Sequence, residues 1–498
     1  MNFRFIPLLT AALLASATAF VDAASIPRRP EKLHFPPLSF EPPHAADYRV
    51  QLKSGPVAYV ISDRELPLVN LVILVRVGDY LVPEGKEGLA GLTGWLLTKG
   101  GSQSKTAEEL EERLAYLAAQ LNSSIGDTQG SVTLNLLSKD LDEGMAILRE
   151  ILSAPRFQED KLALRKQQVF QSLKERNDSS ASIESRERSF LAYGEDFFVN
   201  RHVTAASLES ITRADLVAFH RDWFHPSNFI VAVNGDFDRE KMIAKLEQLF
   251  ASWPFEGKTA PAVPANPKMA APGAYLVDKD VNQGRVSILL PGIKRDDPDY
   301  IPSQVMNHIL GGGGFTSRIM NRVRSDEGLA YSAGTSLPGG VYYPETFTGY
   351  FQTKSRTVAY ATSIVLEEMK RIASEPVSIG ELDTAKRSFI DTFPRAFSTK
   401  TQVAAALAQE EFTGRYKTDP DWFKNYRSRF DAVTQGDVLR VAKRLLQPGQ
   451  VRILVVGQKA EILKGHPDHP VTLQSLAGGK LTDLPLRDPL TMKPIIKQ

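Results

Sequence analysis

Histidine binds metals and transfers protons more often than the other side chains of this sequence. The 498 residues include eight histidines and no cysteine. His220 and His225 lie five residues apart, off a common helical face, so both are expected at the surface. His466 and His469 could together coordinate a metal ion, but Pro467 between them favours a structural role. The lack of cysteine excludes disulfides, thiolate zinc sites and thiol nucleophiles. No G-x-S-x-G, G-x-x-x-x-G-K-[ST] or H-E-x-x-H motif occurs.

A second unusual feature is a predicted helix with several glycines, in the stretch EGLAGLTGWLLTKGG from Glu87 to Gly101. Its leucines recur at the spacing of a core-facing helix. Three glycines on another face are three residues apart: Gly88, Gly91 and Gly94. Each costs roughly 1 kcal/mol relative to alanine in a helix interior. Small residues at this spacing favour close packing of another helix or strand, and a remodelled groove that still touches peptide is the alternative.

This stretch resembles the zinc helix of the pitrilysin/insulinase metallopeptidase family, whose pattern is G-L-A-H-x-x-E-H-x-L-x-K-G. The flanking residues 88–90 and 97–100 match, whereas Gly91, Gly94 and Trp95 stand where the family has histidine, glutamate and histidine. In the family a third ligand, a glutamate, follows about 75 residues later. Gln171 and Ser172 occupy that segment here. The resemblance implies that this chain binds no metal, because glycine and indole offer no ligand atom for zinc.

The segment from Ile309 to Gly334 resembles the C-terminal part of the same family, with the pattern G-G-x-x-S-R-L…R-x-x-x-G-L-x-Y-S. Arg324 and Tyr331 have the spacing of the family's arginine/tyrosine pair. The resemblance implies that the tyrosine hydroxyl donates to the oxyanion of a tetrahedral intermediate. It also implies that the guanidinium holds a substrate carbonyl. The structural alternative is an exposed cation beside a half-buried ring.

Four consecutive glycines precede this pair, Gly311, Gly312, Gly313 and Gly314. No Lys-Ser/Thr follows them, so they do not form a phosphate-binding loop. The run is similar to the glycine-rich substrate loop of the zinc-lacking α subunit of mitochondrial processing peptidase. It is therefore predicted to be mobile backbone whose N–H groups bind an extended peptide.

An internal repeat shows which elements must position these residues. The segment from Ile211 to Asp236 matches that from Val433 to Gln458 at a constant offset of 222 residues. In both copies a threonine followed by an aspartate three residues later indicates a capped helix, and a β-rich run ends at glycine. An alternating strand at Ser131–Lys139 corresponds to one at Thr346–Lys354. The chain is predicted to be α+β, with two homologous repeats, each a mostly antiparallel sheet of about six strands flanked by helices.

The repeats and the proline-rich stretches predict the division of the chain. Residues 466–498 have weak periodicity and are expected to extend along the surface. The predicted segments are a signal peptide (1–23), a Pro-rich arm (24–46), an N-terminal peptidase-like domain (47–252), a linker (253–273), a C-terminal peptidase-like domain (274–465) and a tail (466–498).

The N-terminus predicts export. One early cation, Arg4, precedes an apolar run that ends in small residues, with cleavage after Ala23 or Ala19. A mitochondrial presequence, the rival interpretation, would be rich in arginine. The net charge of +2, from 60 basic and 58 acidic residues, implies no general attraction to nucleic acid or anionic lipid. We therefore expect a periplasmic or secreted protein without a membrane span.

Two functional hypotheses of different classes follow. In the first, the chain is the non-zinc subunit of an exported heterodimeric zinc metalloendopeptidase, and it supplies Arg324 and Tyr331 to a partner that bears H-x-x-E-H and the zinc. Its substrates would be peptides paired edge-on with a strand. In the second, it is a catalytically inactive scaffold or peptide-binding protein of the same fold. A neighbouring gene for a chain with H-x-x-E-H and no Arg/Tyr pair would favour the first. A lone active peptidase would need a metal site that the sequence lacks.

Overall fold

The computed structural model describes residues 39–496 together with Arg29, Lys32 and Leu33. The predicted signal peptide lies outside the described residues, as does most of the predicted arm. The described residues from Pro42 onwards form one compact unit, and the described residues before Pro42 belong to another. Within that other unit the Lys32 N–H donates to the Arg29 carbonyl.

Two six-stranded sheets form the larger unit. The strands of the first are β1 (Arg49–Gln51), β2 (Val57–Ser62), β3 (Leu68–Val75), β4 (Gln120–Ile125), β5 (Gly130–Leu137) and β6 (Phe229–Gly235). Those of the second are β7 (Gly273–Asp278), β8 (Gln283–Leu290), β9 (Ala330–Ser336), β10 (Phe347–Lys354), β11 (Arg452–Gly457) and β12 (Leu481–Leu484). The orders are β1-β2-β6-β3-β5-β4 and β12-β7-β11-β8-β10-β9. Only the pairs β2–β6, β7–β11 and β7–β12 are parallel, so both sheets are mixed and mostly antiparallel.

Helices flank both sheets, which confirms the α+β prediction with two repeats. The first half has α1 (Ala45–Tyr48), α2 (Leu89–Lys99), α3 (Ala107–Tyr116), α4 (Leu141–Ser153), α5 (Glu159–Lys174), α6 (Ser180–Tyr193), α7 (Ala205–Ser210), α8 (Arg213–Trp223) and α9 (Arg239–Phe250). The second half has α10 (Tyr300–Asn307), α11 (Arg318–Met320), α12 (Val358–Ser374), α13 (Ile379–Thr392), α14 (Lys400–Phe412), α15 (Arg415–Thr418), α16 (Trp422–Asp431), α17 (Gln435–Leu445), α18 (Lys459–Lys464) and α19 (Leu473–Leu476). No helix in the described part of the chain is long and apolar enough to cross a membrane.

The repeated capping signals are present in both halves. Thr212 accepts from the Asp215 N–H at the start of α8, and the Asp215 carboxylate accepts from the Thr212 N–H. Thr434 and Asp437 form the same reciprocal pair at the start of α17. Each pair satisfies backbone donors that the helix itself leaves free. The repeat detected in the sequence is therefore a repeat of structure, although the exact domain boundaries stay predictions.

One helix from each half crosses over to the other half's sheet. Helix α14 buries Val403 and Leu407 against the first sheet, where Tyr59 and Ile230 belong to the same apolar cluster. Helix α6 buries Ile183, with Leu191, against the second sheet in the corresponding way. These contacts remove apolar surface of both halves from water, so they hold the halves together.

The C-terminal tail contacts both halves, and most of its described residues are exposed or half-buried. Its strand β12 pairs in parallel with β7 and becomes the outermost strand of the second sheet. Further on, Leu490 packs against the core of the first half, and its carbonyl accepts from the Ala205 N–H at 2.8 Å. The parallel pairing of β12 with a distant strand could not be predicted from a short, weakly patterned segment.

His220 is buried, so the prediction that it lies at the surface was wrong. Only 4% of the residue is exposed, and its Nε2 lies 3.0 Å from the Leu152 carbonyl oxygen. Its ring stacks on Phe224 with a centroid distance of 5.0 Å. Burial lowers the pKa of His220 to about 4. The helical face of α8 that packs inward therefore includes this histidine.

The burial of His220 predicts a measurable acid sensitivity. Between about pH 6.5 and pH 4 the His220 ring binds a proton in the unfolded chain but stays neutral in the native one. Protonation therefore favours the unfolded chain, and the free energy of unfolding decreases as the pH falls through this range. Between pH 7.5 and 5 the wild-type chain should lose about 2 kcal/mol more unfolding free energy than His220→Gln. Urea unfolding at both pH values measures this difference. The control is His225→Gln, whose ring is less buried, and an equal loss in His220→Gln would contradict the prediction.

Candidate functional site

Helix α2 carries the glycines, and they differ in their surroundings. Gly88 precedes the helix with a φ of 103°, a left-handed conformation that favours glycine. Gly91 is exposed, and a β-carbon there would meet no atom within 4 Å. A β-carbon at Gly94 would lie 2.6 Å from the Ile125 nitrogen and 3.0 Å from the Ser124 carbonyl carbon. The helix therefore packs closely on β4 at Gly94 and not at Gly91.

Trp95 occupies the wall of a groove between α2, α3, β4 and α5 that has a volume of about 550 Å³. The guanidinium carbon of Arg165, on α5, lies 5.1 Å from a Trp95 ring centroid. Gln171 and Ser172 are exposed on the same helix, and Gln171 Nε2 donates to Glu175, the residue that follows its last turn. The groove thus presents an indole ring at one position where the family has a zinc ligand.

Metal-ligating side chains do not converge anywhere in the described ranges: no three His, Asp or Glu residues there are grouped so that they could hold an ion. Gly91 and Gly94 offer no side-chain donor, and Trp95 offers only an N–H, which cannot coordinate a cation. The residues present do not fit a zinc ion. That this chain binds none stays a prediction.

Arg324 and Tyr331 are brought together, and a third residue joins them. The guanidinium carbon of Arg324 lies 4.6 Å from the Tyr331 ring centroid and 4.7 Å from that of Phe315. Tyr331 is 83% exposed and Phe315 66% exposed, so the guanidinium lies over two rings that otherwise face solvent. Cation–π contacts of this kind restrict where the guanidinium can point. We call these three residues the aromatic–arginine stack.

The charge of Arg324 has no carboxylate partner among the residues that the structure describes. A similar pair in the first half is different. Arg113 lies 4.6 Å from the ring of Tyr116, which is 77% exposed, but its guanidinium donates two hydrogen bonds to Glu143. The stack therefore holds a cation in position and leaves its hydrogen-bond donors available.

Most of the glycine run before Phe315 is helical and closely packed, whereas the sequence predicts a mobile loop there. Residues from His308 to Gly312 continue α10 as a π-helical turn. A β-carbon at Gly311 would lie 2.5 Å from Thr335 Oγ1. At Gly313 it would lie 2.8 Å from the His308 carbonyl oxygen. Only Gly314, with a φ of +59°, has open space around it. The proposed substrate contact through Gly311, Gly312, Gly313 and Gly314 stays a prediction.

The turn that follows the glycines, from Phe315 to Arg318, is held to α13 by an ion pair. Arg318 is 8% exposed and donates to both carboxylate oxygens of Glu381, at 2.6 and 3.0 Å. These hydrogen bonds, with a smaller contribution from Ser378, lower the pKa of Glu381 to about 2. The same carboxylate accepts from the Ser378 N–H at the start of α13. This bidentate pair holds the turn that carries Phe315.

The two candidate regions occupy equivalent places in the two sheets. The strand β4, beside the altered zinc helix, ends the first sheet, and β9, which carries Tyr331, ends the second. In the described part of the chain no further strand pairs with the outer edge of either. The N–H and C=O groups on such an edge can pair with an extended peptide.

Two stretches of the chain match models of a single peptidase family. Residues 58–195 match the model described as Insulinase (Peptidase family M16), and residues 210–389 match the model described as Peptidase M16 inactive domain. The chain belongs to the M16 peptidase family. The resemblance based on the zinc-helix and Arg/Tyr segments is thereby confirmed, and the chain is an M16 protein of the inactive-domain type.

Two M16 relatives carry contrasting names. An uncharacterized zinc protease of Rickettsia bellii is 24% identical over 381 residues, which cover 76% of this chain and 86% of the relative. The non-peptidase homolog YmxG of Helicobacter pylori is 27% identical over 355 residues, covering 68% and 78%. This chain is therefore similar both to a protein named as a zinc protease and to one named as a non-peptidase homolog.

Two solved structures share the fold. A peptidase M16 inactive domain from Pseudomonas fluorescens matches with a TM-score of 0.73 and 23% identity, over 82% of this chain and 97% of that one. The periplasmic protease PqqL from Escherichia coli matches with a TM-score of 0.70 and 15% identity, over 82% of this chain and 45% of that one. At these identities the likeness concerns the fold.

Phe315 is the residue that sequence reasoning missed. Its signal is a large aromatic side chain directly after four glycines, where a solvent-exposed turn is expected. An aromatic residue that remains exposed in such a place is often part of a binding surface. The contact with Arg324 joins residues nine positions apart, which follow an irregular turn, and no helical or strand periodicity predicts it.

Proposed function

We propose that this M16 chain is the non-zinc subunit of an exported heterodimeric zinc metalloendopeptidase that acts on peptides. It would supply Arg324 and Tyr331 to the active site of a partner that bears H-x-x-E-H. Zinc bound by the partner would provide an activated water. This chain's own residues would hold the substrate carbonyl and the oxyanion that develops from it.

The observation that carries the proposal is the aromatic–arginine stack. A guanidinium that lies over two exposed rings, with no carboxylate partner in the described residues, has its donors free for a ligand outside the chain. The exposed Tyr331 hydroxyl lies on the same surface, at the outer strand of a sheet. Arrangements that are fixed before the substrate arrives are the ones that stabilise a transition state effectively.

The altered zinc helix explains why a second chain is needed. Peptide hydrolysis of this kind requires a ligand set and a general base that Gly91, Gly94 and Trp95 cannot provide. The arginine/tyrosine pair alone has no nucleophile to offer. A homologous zinc-bearing partner would complete the site, and the peptide would pair with the free edge of a strand.

Export is part of the same proposal. The predicted signal peptide and the fold that this chain shares with a periplasmic protease support a periplasmic location, with secretion as the alternative. Subcellular fractionation of the source cells, with N-terminal sequencing of the mature protein, tests it. Cleavage after Ala23 or Ala19 is the expected result.

The isolated chain provides the first test of the division of labour. Purified alone and supplied with zinc, it should cleave no peptide from a mixed library, because it has no ligand set for the ion. Mass spectrometry of the library after incubation measures cleavage. Addition of the partner, identified by co-purification from the native source and co-expressed, should produce turnover that a chelator abolishes. Chelator-sensitive turnover by the chain alone would contradict the proposal.

A second candidate function is a catalytically inactive peptide-binding or scaffold protein of the same fold. The match to the inactive-domain model and the relative described as a non-peptidase homolog favour it. Under this alternative the chain forms no complex with an H-x-x-E-H subunit, or forms one whose activity is indifferent to Tyr331.

A further inference from the structure

A groove of about 520 Å³ that charged and apolar side chains share is lined in part by Tyr331. Its floor is one face of β8 and β10, its rim includes Tyr331, and Glu184 of α6 forms part of its wall. The floor residues come from alternate positions of two paired strands, so their side chains share that face. They are Gln283, Arg285, Ser287, Tyr350, Gln352 and Lys354.

Arg285 is held in the middle of this floor by a chain of hydrogen bonds. One terminal nitrogen of its guanidinium donates to Gln352 Oε1 at 2.8 Å, and Gln352 Nε2 in turn donates to Gln283 Oε1 at 2.9 Å. The register places Arg285 directly opposite Gln352. The Arg285 Nε is buried and has no hydrogen-bond partner. Since this Nε has almost no accessible surface, a ligand in the groove would accept from the second terminal nitrogen, which has no hydrogen-bond partner among the described residues.

The groove carries a net positive charge that the chain itself does not neutralise. No carboxylate in the described residues forms an ion pair with Arg285 or Lys354. Glu184 also faces the groove, but its carboxylate accepts from Arg188 Nε at 2.8 Å and from Ser287 Oγ at 2.5 Å. The acid is thus already compensated, and the two cations remain available for a ligand.

We propose that this groove is a subsite for a carboxylate of the bound peptide, with Arg285 as its principal ligand and Lys354 in support. The inference rests on the proposed function, because Tyr331 on the rim would hold the carbonyl of the same peptide. An acidic side chain and a free C-terminus offer the same chemistry. A guanidinium suits both, since its planar fork matches the geometry of a carboxylate.

Three fluorescent, N-acetylated peptides that differ only at one internal residue and at the C-terminus test the proposal on the isolated full chain by anisotropy. The first has an internal glutamate and a C-terminal amide, the second has glutamine and an amide, and the third has glutamine and a free C-terminus. At low salt, at least one carboxylate peptide should bind about tenfold tighter than the neutral peptide, because charge-assisted hydrogen bonds exceed neutral ones. Which carboxylate is preferred identifies the source, and the preference should fall as salt screens the charges.

Variants of Arg285 provide the decisive comparison. Arg285→Gln should remove the preference without changing affinity for the neutral peptide, and Arg285→Lys should retain part of it. Arg64→Gln, at an exposed position in the first half, makes the same charge change and should leave the preference intact. Equal binding of all three peptides, binding of none, or an unchanged preference in Arg285→Gln would overturn the proposal. The assay needs no zinc-bearing partner, so its failure is distinct from failure of the proposed function.

Discussion

Tyr331→Phe is expected to lower peptide turnover by the complex of this chain with its zinc-bearing partner about 100-fold or more, on the scale of removing one oxyanion donor. The substitution removes the hydroxyl and keeps the ring, so the stack with Arg324 should persist. Because the lost hydrogen bond forms with the transition state, kcat should fall while KM changes little. Steady-state kinetics of the complex on one purified peptide measures both constants.

Tyr116→Phe is the matched control. Tyr116 is similarly exposed and has an arginine at the same distance from its ring, but it lies in the first half, far along the chain from Arg324 and Tyr331. Loss of its hydroxyl should leave kcat within a factor of about two, as for a surface substitution away from the chemistry. If Tyr331→Phe behaved like this control, the catalytic role would be wrong and the scaffold function would remain.

Alanine at two positions of α2 should have opposite effects on stability. At Gly91 the new methyl group meets open space on an exposed helix surface, so alanine should raise the free energy of unfolding by up to about 1 kcal/mol. At Gly94 the same methyl group would approach two backbone atoms of β4. Alanine there should lower the free energy of unfolding by about 2–3 kcal/mol. Urea unfolding of both variants beside the wild-type chain measures the contrast.

The same packing bears on any attempt to rebuild the zinc motif. Placing histidine, glutamate and histidine at positions 91, 94 and 95 puts a long side chain at Gly94, where a β-carbon already conflicts with β4. The triple variant is therefore expected to unfold more easily than the wild-type chain. A Gly94→Ala variant as stable as the wild-type chain would show instead that β4 moves away at little cost.

Sequence reasoning reached the family, the duplicated α+β architecture and the main candidate residues. It could do so because the informative signals are local. Reciprocal caps such as Thr212 with Asp215 depend on residues three apart, and alternating strands such as β5 and β10 depend on neighbours two apart. Short-range rules of this kind operate before any tertiary contact is known.

Contacts between distant segments were not predictable in this way. The exchange of α6 and α14 between the halves, the pairing of β12 with β7 and the burial of His220 each depend on partners far along the chain. The unsatisfied Arg285 became apparent only when its strand was placed beside β10. A single sequence records how residues are spaced, whereas burial and charge compensation depend on what packs across from them.

Gly91 and Gly94 show most directly which properties the sequence determines and which only the tertiary structure decides. They are the same residue type on the same helix, three positions apart, and the sequence pattern treats them alike. The tertiary structure separates them, because β4 passes close to one and leaves the other facing solvent. Loss of the zinc ligands follows from the amino acids alone, since glycine has no side-chain donor. Whether those ligands could be restored is decided by the neighbouring backbone, because packed main-chain atoms leave no volume for a new side chain.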